Sequence, residues 1–116
     1  MAKQRNILRN QLVPIVHRIT ATALTGDVDV AIARRSLFLD AWCVAVGAGG
    51  AADTITVKNG STAITDAIDM NVSDKVIVRA GTIDDAQHEI AAGGTLRVSG
   101  ASAVTCEVYV LMLVLD

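Results

Sequence analysis

Apolar and polar residues alternate with a period of two along most of the chain. In residues 54–58 (TITVK), for example, Ile55 and Val57 share one face, opposite two threonines and a lysine. Alternation of this kind is typical of β-strands with one buried face. We therefore predict strands over residues 15–25, 28–34, 36–46, 54–58, 75–80, 95–99 and 104–115.

Turn signals separate these segments. Asn59-Gly60 is a strong two-residue hairpin signal because both residues tolerate positive φ. Residues 84–92 are open to two interpretations, a helical turn capped by Asp84 and ended by Gly93, or a loop. Short strands with frequent turns and almost no helical periodicity predict an all-β fold, an antiparallel β-sandwich of the jelly-roll type. A single domain over residues 15–116 accommodates it.

Residues 1–14 form a basic N-terminal arm, extended or short-helical, that ends at Pro14. The first 26 residues contain four basic side chains and no acidic one, whereas the rest of the chain is acidic. We therefore expect the arm to contact an acidic partner surface. The candidate contact residues are Lys3, Arg5, Arg9 and Arg18.

Two strands are apolar on both faces, residues 37–46 with the exception of Asp40, and residues 108–115. A strand of this kind must be covered on both sides. The domain core covers one side, and a second subunit or the N-terminal arm covers the other. The 52% apolar content also favours an interface. We predict a homo-oligomer, with candidate interface residues Phe38, Trp42, Tyr109, Leu111, Leu113 and Leu115.

The chain shows no pattern of a catalytic, metal or cofactor site, so we predict that it is not an enzyme and binds no cofactor. Neither histidine, His17 or His88, lies in a nucleophile motif. Cys43 lies in an apolar run, and we favour free buried thiols over a disulfide with Cys106. A metal site is conceivable on residues 84–89, but a solvated acidic turn is the simpler interpretation. Its candidate ligands are Asp84, Asp85, His88 and Glu89.

Composition also bears on the class of partner. Nucleic-acid binding usually requires a basic body and stacking aromatics, and this body is acidic with three aromatic residues. No apolar run approaches the roughly 20 residues of a membrane-spanning helix, so we predict no membrane contact. Carbohydrate binding is the main alternative to a subunit interface, because Trp42 and Tyr109 are possible sugar platforms.

The second part of the chain resembles a known family. From residue 53 to residue 115 it contains, in order, DTITVKNG, DKVIVRAGTIDD, EIAAGGTLRVSG and CEVYVLMLVL. This series is similar to small bacteriophage virion proteins, especially head decoration (cement) proteins with a jelly-roll-like β-sandwich. The matching elements are Ile90, Gly93-Gly94, residues 95–98 and residues 104–115.

The resemblance implies a structural role in the virion. Decoration proteins of this kind bind the major capsid protein on the outer head surface as homo-oligomers, typically trimers, and stabilise the lattice. The protein would then be made in the host cytoplasm and located on the virion. The basic arm would contact the shell or a neighbouring subunit. The alternative from another class is a carbohydrate- or receptor-binding β-sandwich of a viral fibre or tail apparatus.

Overall fold

A computed structural model of the chain describes residues 13–115, and all regular structure in that range is β-strand. Eight strands follow one another, and no helix occurs among these residues. The prediction of an all-β protein is therefore confirmed. The strands are β1 (Val13–Ala31), β2 (Ser36–Ala45), β3 (Thr54–Asn59), β4 (Thr62–Ala63), β5 (Ile68–Asp69), β6 (Ile77–Arg79), β7 (Glu89–Ile90) and β8 (Thr95–Val114).

β8 lies at the centre of one antiparallel sheet. On one side it pairs with β1 along nearly its whole length. On the other side its first part pairs with β3 and its second part with β2. The remaining strands are short and extend the sheet from β2 or β3. The sheet therefore has two connected parts, which we call the β3 half (residues 24–31, 95–101 and β3) and the β2 half (residues 13–21, 104–114 and β2).

The sheet is strongly curled, as the pairing at the two ends of β8 shows. Ala31 pairs with Thr95 at one end, and Ser36 pairs with Val114 at the other. Four residues connect Ala31 to Ser36 and span at most about 18 Å, whereas a straight strand as long as β8 spans about 65 Å. The ends of β8 therefore approach each other, and the sheet forms a half-barrel. The two-layered jelly roll stays a prediction.

β1 and β8 bend together near their middles. The register between them shifts twice from Ala21 to Gly26. On the β8 side, Ser102 and Ala103 have φ angles of 61° and 60°, in the left-handed region. Extra residues and left-handed conformations of this kind are typical of β-bulges, which bend a strand without ending it. Residues 100–103, which separate the predicted strands 95–99 and 104–115, are therefore a bulge within one continuous strand.

Two threonine hydroxyls stabilise this bend. The backbone N–H of Ala23 donates to Thr105 Oγ1, and the backbone N–H of Ala103 donates to Thr25 Oγ1, each at 2.9 Å. A bulge interrupts the ladder of backbone hydrogen bonds and leaves N–H groups without a partner in the neighbouring strand. The two side chains replace the lost ladder bonds, one from each strand to the other.

The core fills the concave side of the half-barrel. Inward-facing residues of the four long strands supply most of it, and residues between β3 and β8 close the open side. Each large aliphatic side chain buried in this way contributes roughly 1.5–3 kcal/mol. The fully buried side chains include Ile55, Val57, Leu96, Val98, Val104, Val108, Val110 and Met112 from the strands, and Ile64, Ile68, Met70 and Ile90 from the covering segments.

Two local predictions are refined by the structure. The hairpin after β3 exists, but Asn59 pairs with Thr62, so its two turn residues are Gly60 and Ser61. In residues 84–92 the loop interpretation holds, since Asp84 accepts the backbone N–H groups of Ala86 and Gln87 and no helix follows. The predicted arm contacts Lys3, Arg5 and Arg9 lie outside the described residues.

Gly100 tests the bend, because a Cβ at this position would lie 2.8 Å from both Cγ and the backbone O of Leu24. We expect Gly100→Ala to lower the free energy of unfolding by about 1–3 kcal/mol, since a backbone oxygen has little room to move. Chemical denaturation measures this. The control is Gly50→Ala, whose Cβ would meet nothing closer than 3.4 Å. Equal loss in both variants would contradict the close approach at the bend.

Candidate interaction surface

The convex side of the β2 half carries large apolar side chains that the core does not use. Along β8, Cys106, Val108, Val110 and Met112 point inward and are fully buried. The residues between them are half-buried and point outward. We call the apolar members of the outward-facing set on β8 and β2 the aromatic face, which consists of Leu37, Trp42, Val44, Tyr109, Leu111 and Leu113.

A row of four side chains crosses the aromatic face. Arg18 pairs with Tyr109, Tyr109 with Trp42, and Trp42 with Arg79, in four adjacent strands. The two rings are stacked, with centroids 5.8 Å apart and planes inclined by 11°. Stacking in an offset geometry holds both rings in one orientation, which reduces the entropy lost when a partner packs on them.

Acidic residues orient the arginines at the two ends of this row. Arg18 Nε lies 3.4 Å from Glu107 Oε2, and the guanidinium of Arg79 forms an ion pair with Asp40. Thr20 donates a further hydrogen bond of 2.8 Å to Glu107. Both arginine side chains are largely exposed, so these ion pairs add little stability. Aromatic and arginine side chains together are the composition typical of protein–protein hot spots.

The convex side of the β3 half has the opposite character, although β1 and β8 run through both halves. Asp29, Arg97 and Lys58 form one cross-strand row, and the next row is Asp27, Ser99 and Thr56. Arg97 Nε donates to Asp29 Oδ1 at 2.8 Å and lowers the pKa of that carboxyl. A polar outer face is usual for a sheet exposed to water. The apolar outer face is therefore specific to the β2 half.

The structure separates the predicted interface residues into two groups. Trp42, Tyr109, Leu111 and Leu113 lie on the aromatic face. Phe38 is 2% exposed and belongs to the core on the other side of the sheet. Leu115 is half-buried beyond the end of β8, and its N–H donates to Arg35 O at 2.9 Å. Of the predicted arm contacts, Arg18 lies at the end of the aromatic row.

A β-bulge explains why the side chains of Phe38 and Leu37 lie on the opposite faces of the sheet from those that the alternation in sequence predicts. The register between β2 and β8 shifts between Phe38 and Asp40. Strict alternation from Trp42 would place Phe38 on the outer face and Leu37 in the core. One extra residue in β2 between Phe38 and Asp40 changes the phase, so Phe38 points into the core and Leu37 points outward. A bulge leaves no reliable signal in a run whose residues are apolar on both faces except for Asp40. Arg79 was missed for another reason, since only tertiary pairing brings β6 beside Trp42.

The structure also places the residues considered for catalysis or metal binding. Among residues 13–115 no cluster of three or more His, Cys, Asp or Glu side chains is placed to hold a metal ion. His88 Nδ1 lies 3.7 Å from Asp85 Oδ1, while the Asp84 carboxylate is engaged by the backbone of Ala86. Cys43 and Cys106 are free thiols within the core. Hydrogen bonding to Cys106, together with burial, raises the pKa of Cys43.

Comparisons of the chain with models of protein families, with curated proteins and with solved structures find no match. In the part of the chain that the structure describes, no helix is long and apolar enough to cross a membrane.

The two thiols provide a test of the core. Both side chains are 0% exposed, so a thiol reagent added to the native protein should react more than about a hundredfold slower than in denaturant, because the reagent cannot reach either sulfur while the core is folded. Absorbance of the released chromophore measures the rate. Two thiols should then appear in denaturant without a reducing agent. A count of zero under those conditions would show a disulfide and contradict the free-thiol assignment.

Proposed function

We propose that this protein is a structural subunit that assembles through its aromatic face. The observation that supports the proposal is the contrast between the two convex surfaces, one apolar with stacked rings and one charged. Water-exposed sheets rarely retain such a set of large apolar side chains unless another surface covers them. We favour a second copy of the chain as the molecule that covers the aromatic face. The stacked rings offer apolar area for the contact, and the ion pairs at the two ends of the row can fix the relative position of the two copies.

Within that class we propose a bacteriophage head decoration protein. The serial resemblance of residues 53–115 to decoration proteins supports this assignment. In this proposal the chain folds as the jelly-roll-like unit of that family and forms a homo-oligomer, a trimer on the family's pattern. The oligomer binds the major capsid protein on the outer surface of the virion, and the basic arm with Lys3, Arg5 and Arg9 contacts the acidic shell.

A carbohydrate- or receptor-binding role is the second candidate. Its supporting observation is the pair of half-buried rings of Trp42 and Tyr109 on a convex surface. Sugars bind aromatic platforms, but here the two rings stack on each other in one row between arginines. A glycan titration that quenches Trp42 fluorescence would favour this role over a subunit interface.

Leu113→Asp tests assembly. A charge on a covered apolar surface is left unpaired, so we expect the variant to lose the oligomer or to weaken it at least about a hundredfold. Sedimentation velocity over a range of concentrations measures the mass. The matched control is Thr56→Asp, an outward-facing position on the polar β3 half, which should leave the oligomer unchanged. A wild-type monomer at micromolar concentration would contradict the proposal outright.

Deletion of residues 1–12 tests the role of the arm. We expect the shortened protein to keep its oligomeric mass and to bind capsids of the encoding phage at least about tenfold more weakly, because three basic side chains and no acidic one are removed. Cosedimentation with capsids, followed by electron microscopy of the particles, measures the binding. Unchanged binding would exclude a docking role for the arm.

A further inference from the structure

The outer edge of β1 has no neighbouring strand among residues 13–115, since β1 pairs with β8 alone. An unpaired strand edge presents a row of free backbone N–H and C=O groups and can receive a further strand. The first part of this edge is also apolar. The exposed fractions of Val13, Ile15 and Val16 are 51%, 41% and 49%.

The hydrogen bonds of β2 show which backbone groups are available at this edge. Ala41 O accepts from Ala80 N, on the side of β2 that faces away from β8. Backbone bonds alternate in direction along antiparallel strands, so the next residue, Trp42, bonds to its partner Tyr109 in β8. Tyr109 therefore directs its backbone groups toward β2 and has none for β1.

The same alternation determines the edge of β1. Arg18 is the β1 partner of Tyr109, so its N–H and C=O point away from β8. Val16 and Thr20, two residues on either side, also point outward. Pro14 belongs to this set, and its missing N–H therefore costs no bond to β8, as is usual for proline at a sheet edge. Three consecutive outward positions remain to pair with an added strand.

An apolar pocket of about 250 Å³ opens beside this edge on the concave side. Ile15 and His17 form its β1 wall, and residues 31–34 form the opposite wall. A strand added beside β1 would direct every second side chain to the concave side, next to Ile15 and His17. The pocket has room for one large apolar side chain from such a strand. It is completed by Ser36 and Val114.

The pocket also has a charge preference. Burial lowers the pKa of His17, which favours the neutral form of its imidazole. Arg34 lies in the lining, is exposed, and has no ion pair with any residue of the described range. A carboxylate on a bound ligand would therefore complement Arg34.

We propose that the edge of β1 at residues 14–20 is a strand-addition site for an extended, acidic segment of a partner protein. The segment forms backbone hydrogen bonds with Val16, Arg18 and Thr20, places one apolar side chain in the pocket and a carboxylate beside Arg34. Main-chain bonds then supply affinity, and the pocket with its arginine supplies selectivity. The site lies on the edge of the sheet and does not depend on the function proposed for the aromatic face.

The probe is a short capped peptide of alternating threonine and valine with one central leucine and one glutamate. We expect it to bind the full-length protein and to slow amide exchange at Val16, Arg18 and Thr20 at least about tenfold, as strand pairing does. Exchange followed by NMR, residue by residue, measures this. Val16→Pro should abolish binding, because it removes one outward N–H, whereas Val16→Thr keeps that N–H and should bind.

Two further variants test the pocket and its charge without altering the edge. Ala33→Phe fills the pocket and should weaken binding about tenfold, whereas the control Ala67→Phe, at an exposed loop position, should not. We expect the Arg34→Glu variant not to bind the peptide with glutamate and to bind a peptide in which lysine replaces that glutamate. This reversal of preference cannot arise from loss of folding.

Three results would overturn the proposal. The first is an absence of added protection at the three amides at saturating peptide. The second is protection that Val16→Pro leaves unchanged. The third is protection of these amides already present in the free protein. Loss of that protection on dilution would show that a second copy occupies the edge, and loss on deletion of residues 1–12 would show that the arm does.

Discussion

A straight strand of 20 residues cannot keep one face buried in a chain of 116 residues, so β8 has to bend. The bend places Val98 of the β3 half and Val108 of the β2 half in one core. Left-handed φ angles at Ser102 and Ala103 oppose it by roughly 1–2 kcal/mol each. The paired threonine hydrogen bonds and the burial that the bend makes possible offset that cost. Core, pocket and aromatic face all depend on this local geometry.

Bending one ribbon also separates two surfaces of different chemistry. The outward positions of β1 and β8 are continuous in sequence across the bulges, yet they are polar or charged in most of the β3 half, whereas in the β2 half they carry Tyr109, Leu111 and Leu113. In a flat sheet these patches would lie side by side on one face. In the half-barrel the two patches face different directions. A partner can therefore cover the aromatic face while the Asp29–Arg97 pair stays in water.

The all-β character of the chain and much of the candidate surface could be predicted from alternation alone. Trp42, Tyr109, Leu111 and Leu113 were identified because apolar residues occurred on both sides of their strands. Phe38 was assigned to the wrong side because a bulge changes the phase of alternation without changing composition. The half-barrel and the row ending in Arg79 depend on pairing between distant strands, which a period-two pattern does not specify.

The edge of β1 and the aromatic face meet at Arg18. Its backbone groups point to the free edge, while its side chain begins the row that continues through Tyr109 and Trp42. A strand added beside Arg18 would extend this row by one residue, because its outward side chains continue the pleat of the sheet. Filling the edge would thus widen the aromatic face. Strand addition and packing on that face are therefore expected to strengthen each other, since each ligand adds contact area for the other.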